Sequence, residues 1–463
     1  MRSPLRKVAI SLAVVLTVVA SAPAHAATYY VATNGSDNNA GTLAQPFTSL
    51  YHASQAANSG DTIYIRGGTY TNFTTTDTDF RTYYGLHLDK SNISYLAYPG
   101  DSRPVLDFSA IEPLGSTMRV CAFWVTGSGN TFQGFDVTGV KVGDNAQSDN
   151  WRITGNNNTW NRIVTRDDQG NGFYFYSHAG NNLVENCDSY NLIGVNGISA
   201  GNTDGFGCHS AGSGNVFRGC RAWATSDDGY DSISNSGGGV LYDHCWAYDI
   251  GRYDGNKTGF KSGGFGVSGG SFPDPPSPNT VIDCVAANCR ANGFYANHEP
   301  GQSAYWYNNT AYNNGSGSTS NFNMLEAETT DPSGITSEPG YREILHNNLA
   351  YLRTTVSNLN ETGDMVANNC WTLPVTVDAS DFVSLDASQL TLPRKADGSL
   401  PDVTFMHLVA GSDLIDVGMD VGLTYTGSAP DLGAFEYVPE PSTSLLLALA
   451  LLTGIILRRP RWS

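Results

Sequence analysis

An irregular repeat through the middle of the chain constrains the fold more than any other feature. A short apolar strand ends in a polar or small corner, and a second short apolar strand follows. The scheme recurs in "NNLVENCDSYN" (181–191), "GNVFRGCRAWA" (214–224), "GVLYDHCWAYD" (239–249), "NTVIDCVAANC" (279–289), "WYNNTAYNN" (306–314) and "EILHNNLAYL" (343–352). The corners Asn186, Gly219, His244 and Asp283 are 33, 25 and 39 residues apart. Helical repeats and propeller blades keep a fixed length, whereas a parallel β-helix accepts loops of any length. The repeat therefore predicts an all-β solenoid, a parallel β-helix.

The two ends of this solenoid need cover. Residues 46–58, "PFTSLYHASQAAN", carry apolar residues at helical spacing before the strand "DTIYIRGGTY" (61–70), which predicts a short N-terminal capping helix. The segment "PDLGAFEY" (430–437) is expected to close the last coil. Residues 353–428 are less repetitive and give no sign of a second domain, so 27–437 is predicted to form one domain.

Eight cysteines are present, without the spacing of a zinc site. Five of them recur at similar places in the repeat, which predicts stacked interior positions: Cys187, Cys220, Cys245, Cys284 and Cys370. Cys284 and Cys289 are a candidate disulfide.

The first 26 residues are typical of an export signal. A basic start (1–7) precedes an apolar run (8–19) and the small-x-small cleavage site Ala24-His25-Ala26. The apolar run is short for a membrane span. We therefore expect an exported chain that begins near Ala27.

The last 26 residues, 438–463, contain Pro-Glu-Pro, the apolar run Leu445 to Leu457, and three arginines near the end. This order resembles the PEP-CTERM sorting signal of Gram-negative bacteria. The resemblance implies transient anchoring in the inner membrane, processing by an exosortase and a secreted, cell-surface or periplasmic product. A plain membrane anchor, with its basic end in the cytoplasm, is the alternative.

Net charge limits the partners. Without 1–26 and 438–463 the chain has 19 basic and 42 acidic residues, a formal charge of −23. Such a surface argues against nucleic acid or an anionic membrane as partner. It also means that a site for an anionic substrate must supply its own positive charge.

The most unusual local feature is "TSDDGYDS" (225–232), which places Asp227, Asp228 and Asp231 within five positions. Asp204 precedes Asp227 by 23 residues, about one coil, and stacked coils bring equivalent positions to roughly 4.7–4.9 Å. Four carboxylates then converge. Turn aspartates are common, but four without a neutralising cation favour a metal site. An oxygen-rich, strongly negative cluster suits Ca²⁺.

Lys261, in "GNKTGFKSGG" (255–264), is the candidate base. It follows the acidic coils by one to two turns, and the adjacent glycines permit close approach of a ligand. Beside a divalent cation the ammonium form is disfavoured, so we expect the pKa of Lys261 to fall and a neutral amine to become available. A solvated lysine is the alternative.

Together, "GTLAQPFTSL", "GDTIYIRGGTY", "NTDGFGCH", "CRAWATSDDGYD", "CWAYD" and "GFKSGG" resemble the pectate lyases of polysaccharide lyase family nine, over roughly residues 28–300. The resemblance implies a right-handed parallel β-helix. It also implies calcium bound by Asp204, Asp227, Asp228 and Asp231, with Lys261 as catalytic base. The insertion-like "SGGSFPDPPSPN" (268–279) departs from the family and leaves subsite preference open.

β-Elimination of a 4-linked uronate fits these residues. It removes the C5 proton, α to a carboxylate, and a divalent cation offsets the charge that develops. The anionic polysaccharide is therefore the expected substrate, most simply pectate. Five basic residues on neighbouring coils are candidate partners for further uronates, or ordinary surface residues: Arg218, Arg221, Arg252, Lys257 and Arg290. A monomer is expected.

Two other functions remain open at this stage. Asn202-Thr203-Asp204 followed by Asp227-Asp228 and Lys261 also resembles an inverting polygalacturonase, which needs two carboxyl groups about 6.5–9.5 Å apart. That family's Gly-His-Gly motif is missing, and His244 sits at a corner in a strand pattern. A non-catalytic, carbohydrate-binding surface β-helix is the second alternative.

Overall fold

The computed structural model describes residues 26–79, 81–114, 118–143, 147–195, 198, 200–263, 277–297, 303–325, 342–360 and 363–439. These residues form a parallel β-helix in which each coil contributes one strand to each of three sheets, in the order A, B, C. The predicted fold class is confirmed. Within the described ranges, no helix combines the length and apolar composition needed to span a membrane. The apolar runs of both predicted terminal signals, 8–19 and 445–457, lie outside the described residues.

Sheet A has 12 strands. They are Thr28–Val31, Thr62–Ile65, Ser94–Ala97, Thr131–Gln133, Thr159–Asn161, Leu183–Glu185, Val216–Arg218, Leu241–Asp243, Asn279–Ile282, Ala304–Tyr307, Glu343–His346 and Met365–Ala367. Sheet B has 10 strands: Thr69–Tyr70, Val105–Asp107, Asp136–Thr138, Val164–Asp168, Asp188–Leu192, Arg221–Trp223, Trp246–Tyr248, Val285–Ala287, Thr310–Tyr312 and Leu349–Tyr351.

Sheet C has 11 strands. They are Asp77–Thr78, Thr82–Leu88, Arg119–Val125, Asp149–Ile153, Asn171–Ser177, Phe206–Ser210, Tyr230–Asp231, Phe260–Lys261, Phe294–Tyr295, Phe322–Asn323 and Val356–Ser357. The first two pair antiparallel, and the other pairs of this sheet are parallel. Short 3₁₀ turns occur at Ala200–Asn202, Ala379–Asp381 and Ala387–Thr391.

The corner between sheets A and B is the one that the repeat predicts. Asn186, Gly219, His244 and Asp283 all adopt left-handed backbone angles, with φ between 52° and 59°. Asn, Asp, His and Gly enter this region more readily than other residues. The variable spacing between corners is taken up by loops elsewhere in the coil, as the solenoid interpretation requires.

Side chains stack along this corner from coil to coil. The backbone N–H of Cys245 donates to Cys284 Sγ (3.3 Å), and that of Cys284 donates to Asn309 Oδ1 (3.0 Å). The stacked position is confirmed for Cys187, Cys220, Cys245 and Cys284, but in the last coil Asn369 takes it and Cys370 lies one residue further along. All eight cysteines are free thiols, and the candidate disulfide between Cys284 and Cys289 is wrong. A strand of sheet B, Val285–Ala287, separates the two residues. Five residues of extended chain span roughly 16 Å, well beyond the ~4.4–6.8 Å between Cα atoms that a disulfide bridges.

The interior of sheet C is a continuous stack of aromatic rings. Ring centroids of neighbours lie 4.1–6.0 Å apart, with planes within 17° of each other. The members are Phe123, Trp151, Phe173, Phe206, Tyr230, Phe260, Phe294 and Phe322. Because strand residues alternate between faces, the residue after each ring points outward, and these outward residues form a matching column.

At the N-terminal end, the helix Leu50–Ala56 confirms the predicted cap, shortened at both ends. Ser49 caps it by accepting a hydrogen bond from the His52 N–H (3.1 Å). Its buried face includes Leu50 and Ala53, and it packs against the first two strands of sheet A.

Residues 430–437, the end of a C-terminal segment that comprises residues 390–437, do not close the last coil as expected. Residues 430–437 lie against the outer side of sheet B: Ala434 N–H donates to Thr310 Oγ1 (2.8 Å), and Phe435 meets Trp246 edge to face. Further back, Phe405 packs against Tyr312. Sheet B carries large apolar side chains outward, and the segment buries them from the side.

The aromatic stack should contribute strongly to the stability of the fold. We expect Phe206→Ala to lower the free energy of unfolding by about 3–5 kcal/mol, because it opens a cavity between Phe173 and Tyr230. Phe206→Leu, which retains most of the volume, should cost less than about 1.5 kcal/mol. Urea denaturation followed by tryptophan fluorescence measures both, and equal losses would contradict a packing role for the ring.

Candidate active site

A four-residue repeat, polar-Gly-aromatic-X, builds the site on sheet C. It reads "NGFY" (171–174), "DGFG" (204–207), "DGYD" (228–231), "TGFK" (258–261) and "NGFY" (292–295). The aromatic residue enters the interior stack and X points outward. Across the strands Gly207 pairs with Asp231, and Asp231 pairs with Lys261. The two charged side chains therefore project side by side from adjacent strands.

The first residue of each repeat belongs to a hydrogen-bonded ladder. Asn171 Oδ1 accepts from the Asp204 N–H (2.8 Å), Asp204 Oδ1 from the Asp228 N–H (3.0 Å), and Asp228 Oδ1 from the Thr258 N–H (2.8 Å). Asn292 Oδ1 accepts from the next coil in the same way. Asp204 and Asp228 thus occupy positions where asparagine performs the same structural task. The carboxylate adds a negative charge that the ladder itself does not need.

The glycine of each repeat is required by close approach of the coils. A Cβ atom at Gly205 would lie 2.7 Å from the carbonyl oxygen of Gly229, and one at Gly229 would lie 2.7 Å from that of Gly259. Side-chain carbons do not reach such distances, so the repeat accepts only glycine here. This contact brings the aspartates that precede Gly205 and Gly229 close to each other.

Four aspartates and one lysine form a buried cluster. Lys261 Nζ lies 3.2 Å from Asp228 Oδ2 and 3.1 Å from Asp231 Oδ2. Oxygens of Asp204, Asp227 and Asp228 lie within 4.8 Å of one another. The structure therefore brings together all five residues that the sequence predicts for the centre.

One oxygen of each aspartate is held by a backbone N–H. Asp204 and Asp228 use the ladder, Asp227 Oδ1 accepts from Asn256, and Asp231 Oδ1 accepts from Ile233 (2.7 Å). Within the described part of the chain, no backbone N–H donates to the second oxygen of these carboxylates, and the second oxygens of Asp228 and Asp231 face Lys261. The carboxylates are thus oriented by the scaffold before any ligand binds.

The electrostatics of the cluster are strongly unfavourable without a further cation. Burial and the neighbouring carboxylates raise the pKa of Asp204 and of Asp228 well above the usual range. Burial raises the pKa of Asp227 to about 6, against the opposing effect of Lys261. Burial alone would lower the pKa of Lys261, but the surrounding aspartates raise it well above its ordinary value. Four buried carboxylates share one ammonium group, and this donor set fits a divalent cation.

His209 is a site residue that the sequence analysis missed. It lies on strand Phe206–Ser210, two residues beyond Gly207, and its Nε2 is 3.8 Å from Asp231 Oδ2. Burial lowers its pKa, which favours the neutral form of the ring. Strand alternation from the buried Phe206 places residues 207 and 209 outward, so the signal was available in "NTDGFGCH".

The candidate substrate-binding residues separate into two groups. Arg218 is on sheet A, paired with Asp243 (2.7 Å), and Arg221 is on sheet B, buried against Asp188. The structure does not bring either to the cluster on sheet C. Arg221 also donates to the carbonyl oxygen of Leu392 in the C-terminal segment, so its guanidinium is used in the fold.

Arg252, Lys257 and Arg290 lie in the turns between sheets B and C, on the flank of the cluster. Arg252 and Arg290 approach the same carboxylate, Asp249, at 3.1 and 3.8 Å. Lys257 directly follows Asn256, whose N–H holds Asp227. These three residues border the site, and Lys257 is adjacent in the chain to a residue that supports it.

The family model described as "Pel9A-like, right handed beta helix region" matches residues 29–348, and the chain belongs to this family. The predicted handedness and family resemblance are confirmed.

Curated relatives and solved structures agree with this family assignment. Pectate lyase L of Dickeya chrysanthemi is 32% identical over 88% of this chain and 90% of its own length. Pectate lyase L of Paenibacillus polymyxa is 31% identical over 88% and 87%. A solved rhamnogalacturonan lyase is 34% identical over 83% of this chain and 96% of that one, with a TM-score of 0.73. The crystal structure of pectate lyase Pel9A is 30% identical over 89% and 96%, with a TM-score of 0.71.

The chain is therefore a polysaccharide lyase, as the sequence predicted. The hydrolase and the non-catalytic alternatives gain no support from these relatives. His244, at its corner between sheets A and B, pairs with Asp243 and lies on a different face from the cluster.

The charge imbalance gives a test without substrate. We expect Asp228→Asn to raise the unfolding temperature in the presence of a chelator, because the amide oxygen keeps the bond from Thr258 N–H while one buried negative charge is removed. Asp228→Ala, which loses the bond as well, is the matched control and should be less stable than Asp228→Asn. Differential scanning calorimetry measures both. If Asp228→Asn unfolds at a lower temperature than the unchanged protein, the buried carboxylates do not reduce its stability.

Proposed function

We propose that this polysaccharide lyase is calcium-dependent and cleaves a 4-linked uronan by β-elimination, with Lys261 as the base that removes the C5 proton. The observation that carries the proposal is the contact of Lys261 Nζ with Asp228 and Asp231, at 3.2 and 3.1 Å, inside a cluster of four aspartates. An amine and a cation-binding set of oxygens are the two parts that this elimination needs.

The residues would bind the ion through the carboxylate oxygens that the backbone leaves available. A bound calcium ion supplies positive charge to the substrate carboxylate and so stabilises the negative charge that develops when the α proton leaves. Oxygen ligands in flexible number are what Ca²⁺ prefers. The ladder bonds of Asp204 and Asp228 hold these ligands in place, which reduces the reorganisation that binding requires.

Lys261 acts as a base only in its neutral form. The aspartates around it favour the ammonium form, so offsetting their charge is what releases the amine for proton transfer. The strand pair that holds Asp231 opposite Lys261 fixes the amine beside the acidic cluster. Base function is thereby tied to occupancy of the cation site.

Pectate is the first candidate substrate, since several relatives bear the name pectate lyase. A second candidate is rhamnogalacturonan, named in another solved relative. All 19 Lys and Arg residues between 27 and 437 are described. In the outward column of sheet C that includes Lys261, the only other lysine or arginine is Arg152, which is already paired with Asp149 (2.6 Å). Outside this column, Arg252, Lys257 and Arg290 border the site and are the candidate residues to contact further uronates of either polymer.

The terminal segments support a location outside the cytoplasm. We propose that residues 1–26 direct export and that an exosortase-type enzyme processes 438–463, on the sequence patterns given above. The monomeric state remains a prediction.

Product analysis tests the reaction. On a panel of polygalacturonate, rhamnogalacturonan, alginate and a glycosaminoglycan, we expect an unsaturated product, seen by ultraviolet absorbance, that disappears with chelator and returns with Ca²⁺. Lys261→Ala should lower the rate by about 10²–10⁴-fold while calorimetric Ca²⁺ binding persists. Lys141→Ala, an exposed lysine paired with Glu112, is the matched control. A saturated product that forms despite chelator would contradict elimination.

Stability should link calcium to pH. A carboxyl group whose pKa is raised on folding, as for Asp227 at about 6, binds more protons in the native state than in the unfolded state. The loss of stability caused by burying its charge is therefore absent below about pH 4 and fully present above about pH 6. We therefore expect the Ca²⁺-induced rise in unfolding temperature to be small near pH 4.5 and to grow up to pH 7. Thermal unfolding with and without Ca²⁺ measures this, and a pH-independent increment would contradict it.

A further inference from the structure

His209 stands beside the acidic cluster with no task in the mechanism given above. Among the described residues, its Nε2 has no hydrogen-bond partner although the atom is fully buried. An unpaired buried polar atom is unfavourable and is uncommon in folded proteins. The ring is packed against Tyr174, with centroids 5.1 Å apart, so its position is set by the fold.

The local structure directs this nitrogen toward the aspartates. Gly207, the outward residue between His209 and Asp231, has no side chain, and a Cβ there would come within 3.2 Å of His209 Nε2. Every other described coil from Trp124 to Asn323 carries a side chain at this column position. The glycine thus leaves the space into which the imidazole folds.

Three residues then converge on one point. Asp204, His209 and Asp231 each offer one ligand atom, and these atoms lie within 4.8 Å of one another. Asp204 also belongs to the all-oxygen group with Asp227 and Asp228. A cation held by the four aspartates is therefore within reach of an imidazole nitrogen on one side.

We propose that His209 is a nitrogen ligand of the cation site, which makes the centre a mixed nitrogen–oxygen site that accepts first-row transition-metal ions such as Co²⁺ or Mn²⁺ as well as Ca²⁺. This inference rests on the proposed cation site and assigns a metal-selecting role to one more residue. Imidazole is a good ligand for these ions, whereas Ca²⁺ takes oxygen ligands almost exclusively. Removal of His209 should therefore affect the two classes of ion differently.

The test is calorimetric titration of chelator-treated full-length protein with Co²⁺ and, separately, with Ca²⁺. A second group, Asp243, His244 and Asp283 at the sheet A–B corner, also offers clustered ligand atoms, so all variants carry His244→Gln to exclude Co²⁺ binding there. We expect His209→Gln to weaken Co²⁺ by at least about tenfold and Ca²⁺ by less than about threefold. The visible absorption of bound Co²⁺ should change as well, because a nitrogen donor is replaced.

Controls separate this inference from the proposed function. His87→Gln removes another outward histidine of sheet C that lies several coils away, against Asp77, and should leave both affinities unchanged. Equal Co²⁺ affinity and an unchanged spectrum in His209→Gln would overturn the inference, as would equal losses for both ions, which indicate a structural role. Failure of the calcium proposal has a different signature: Asp231→Asn would leave Ca²⁺ affinity intact.

Discussion

The site depends on in-register stacking of the strands of sheet C. Tyr230 and Phe260 stack with centroids 4.5 Å apart and planes 1° from parallel, and Asp231 and Lys261 follow these rings directly in the chain. Burial of the rings removes apolar surface from water and is the favourable contribution. Because side chains alternate across a strand, that packing also fixes which residues face outward and which meet. A nonpolar interaction inside the solenoid thus positions the charged groups outside it.

The same scaffold maintains an arrangement of charges that is unfavourable by itself. Four carboxylates and one ammonium group are buried together, and the carboxyl pKa values of Asp204 and Asp228 rise accordingly. The ladder bond to each of these residues does not require the charge, since Asn171 makes the same bond. The cluster is therefore maintained by packing and backbone bonds, and its electrostatic energy is available to bind a cation. In the proposed calcium-dependent lyase, this is how residues 27–437, with a formal charge of −23, would present positive charge to an acidic polymer.

The sequence predicts the solenoid and the centre well because both follow from local patterns. The sheet A–B corner recurs with an apolar strand on each side, so it was visible, whereas strands such as Tyr230–Asp231 have only two residues and were found through their carboxylates. Assignment of Arg221 to the substrate was not supported, because one coil contains three outward directions and chain proximity does not tell them apart. His209 was missed for the opposite reason: the alternation that exposes it was not followed beyond Asp204. The packing of residues 430–437 on sheet B depends on tertiary contacts that no local pattern encodes.

The outer faces of the sheets have different contacts, and this explains how the basic side chains of the chain are used. Sheet B buries its outward face under the C-terminal segment, where Asp188 joins Arg221 and Arg394 in one buried ion group. Arginine is suited to such a position because its planar group makes two bonds to a carboxylate at once. Those guanidinium groups stabilise the attachment of the segment and are unavailable to a polymer. Lys261 lies on sheet C instead, and in the proposed mechanism Lys261 and the cation that its neighbours are arranged to bind supply the positive charge for an acidic polysaccharide.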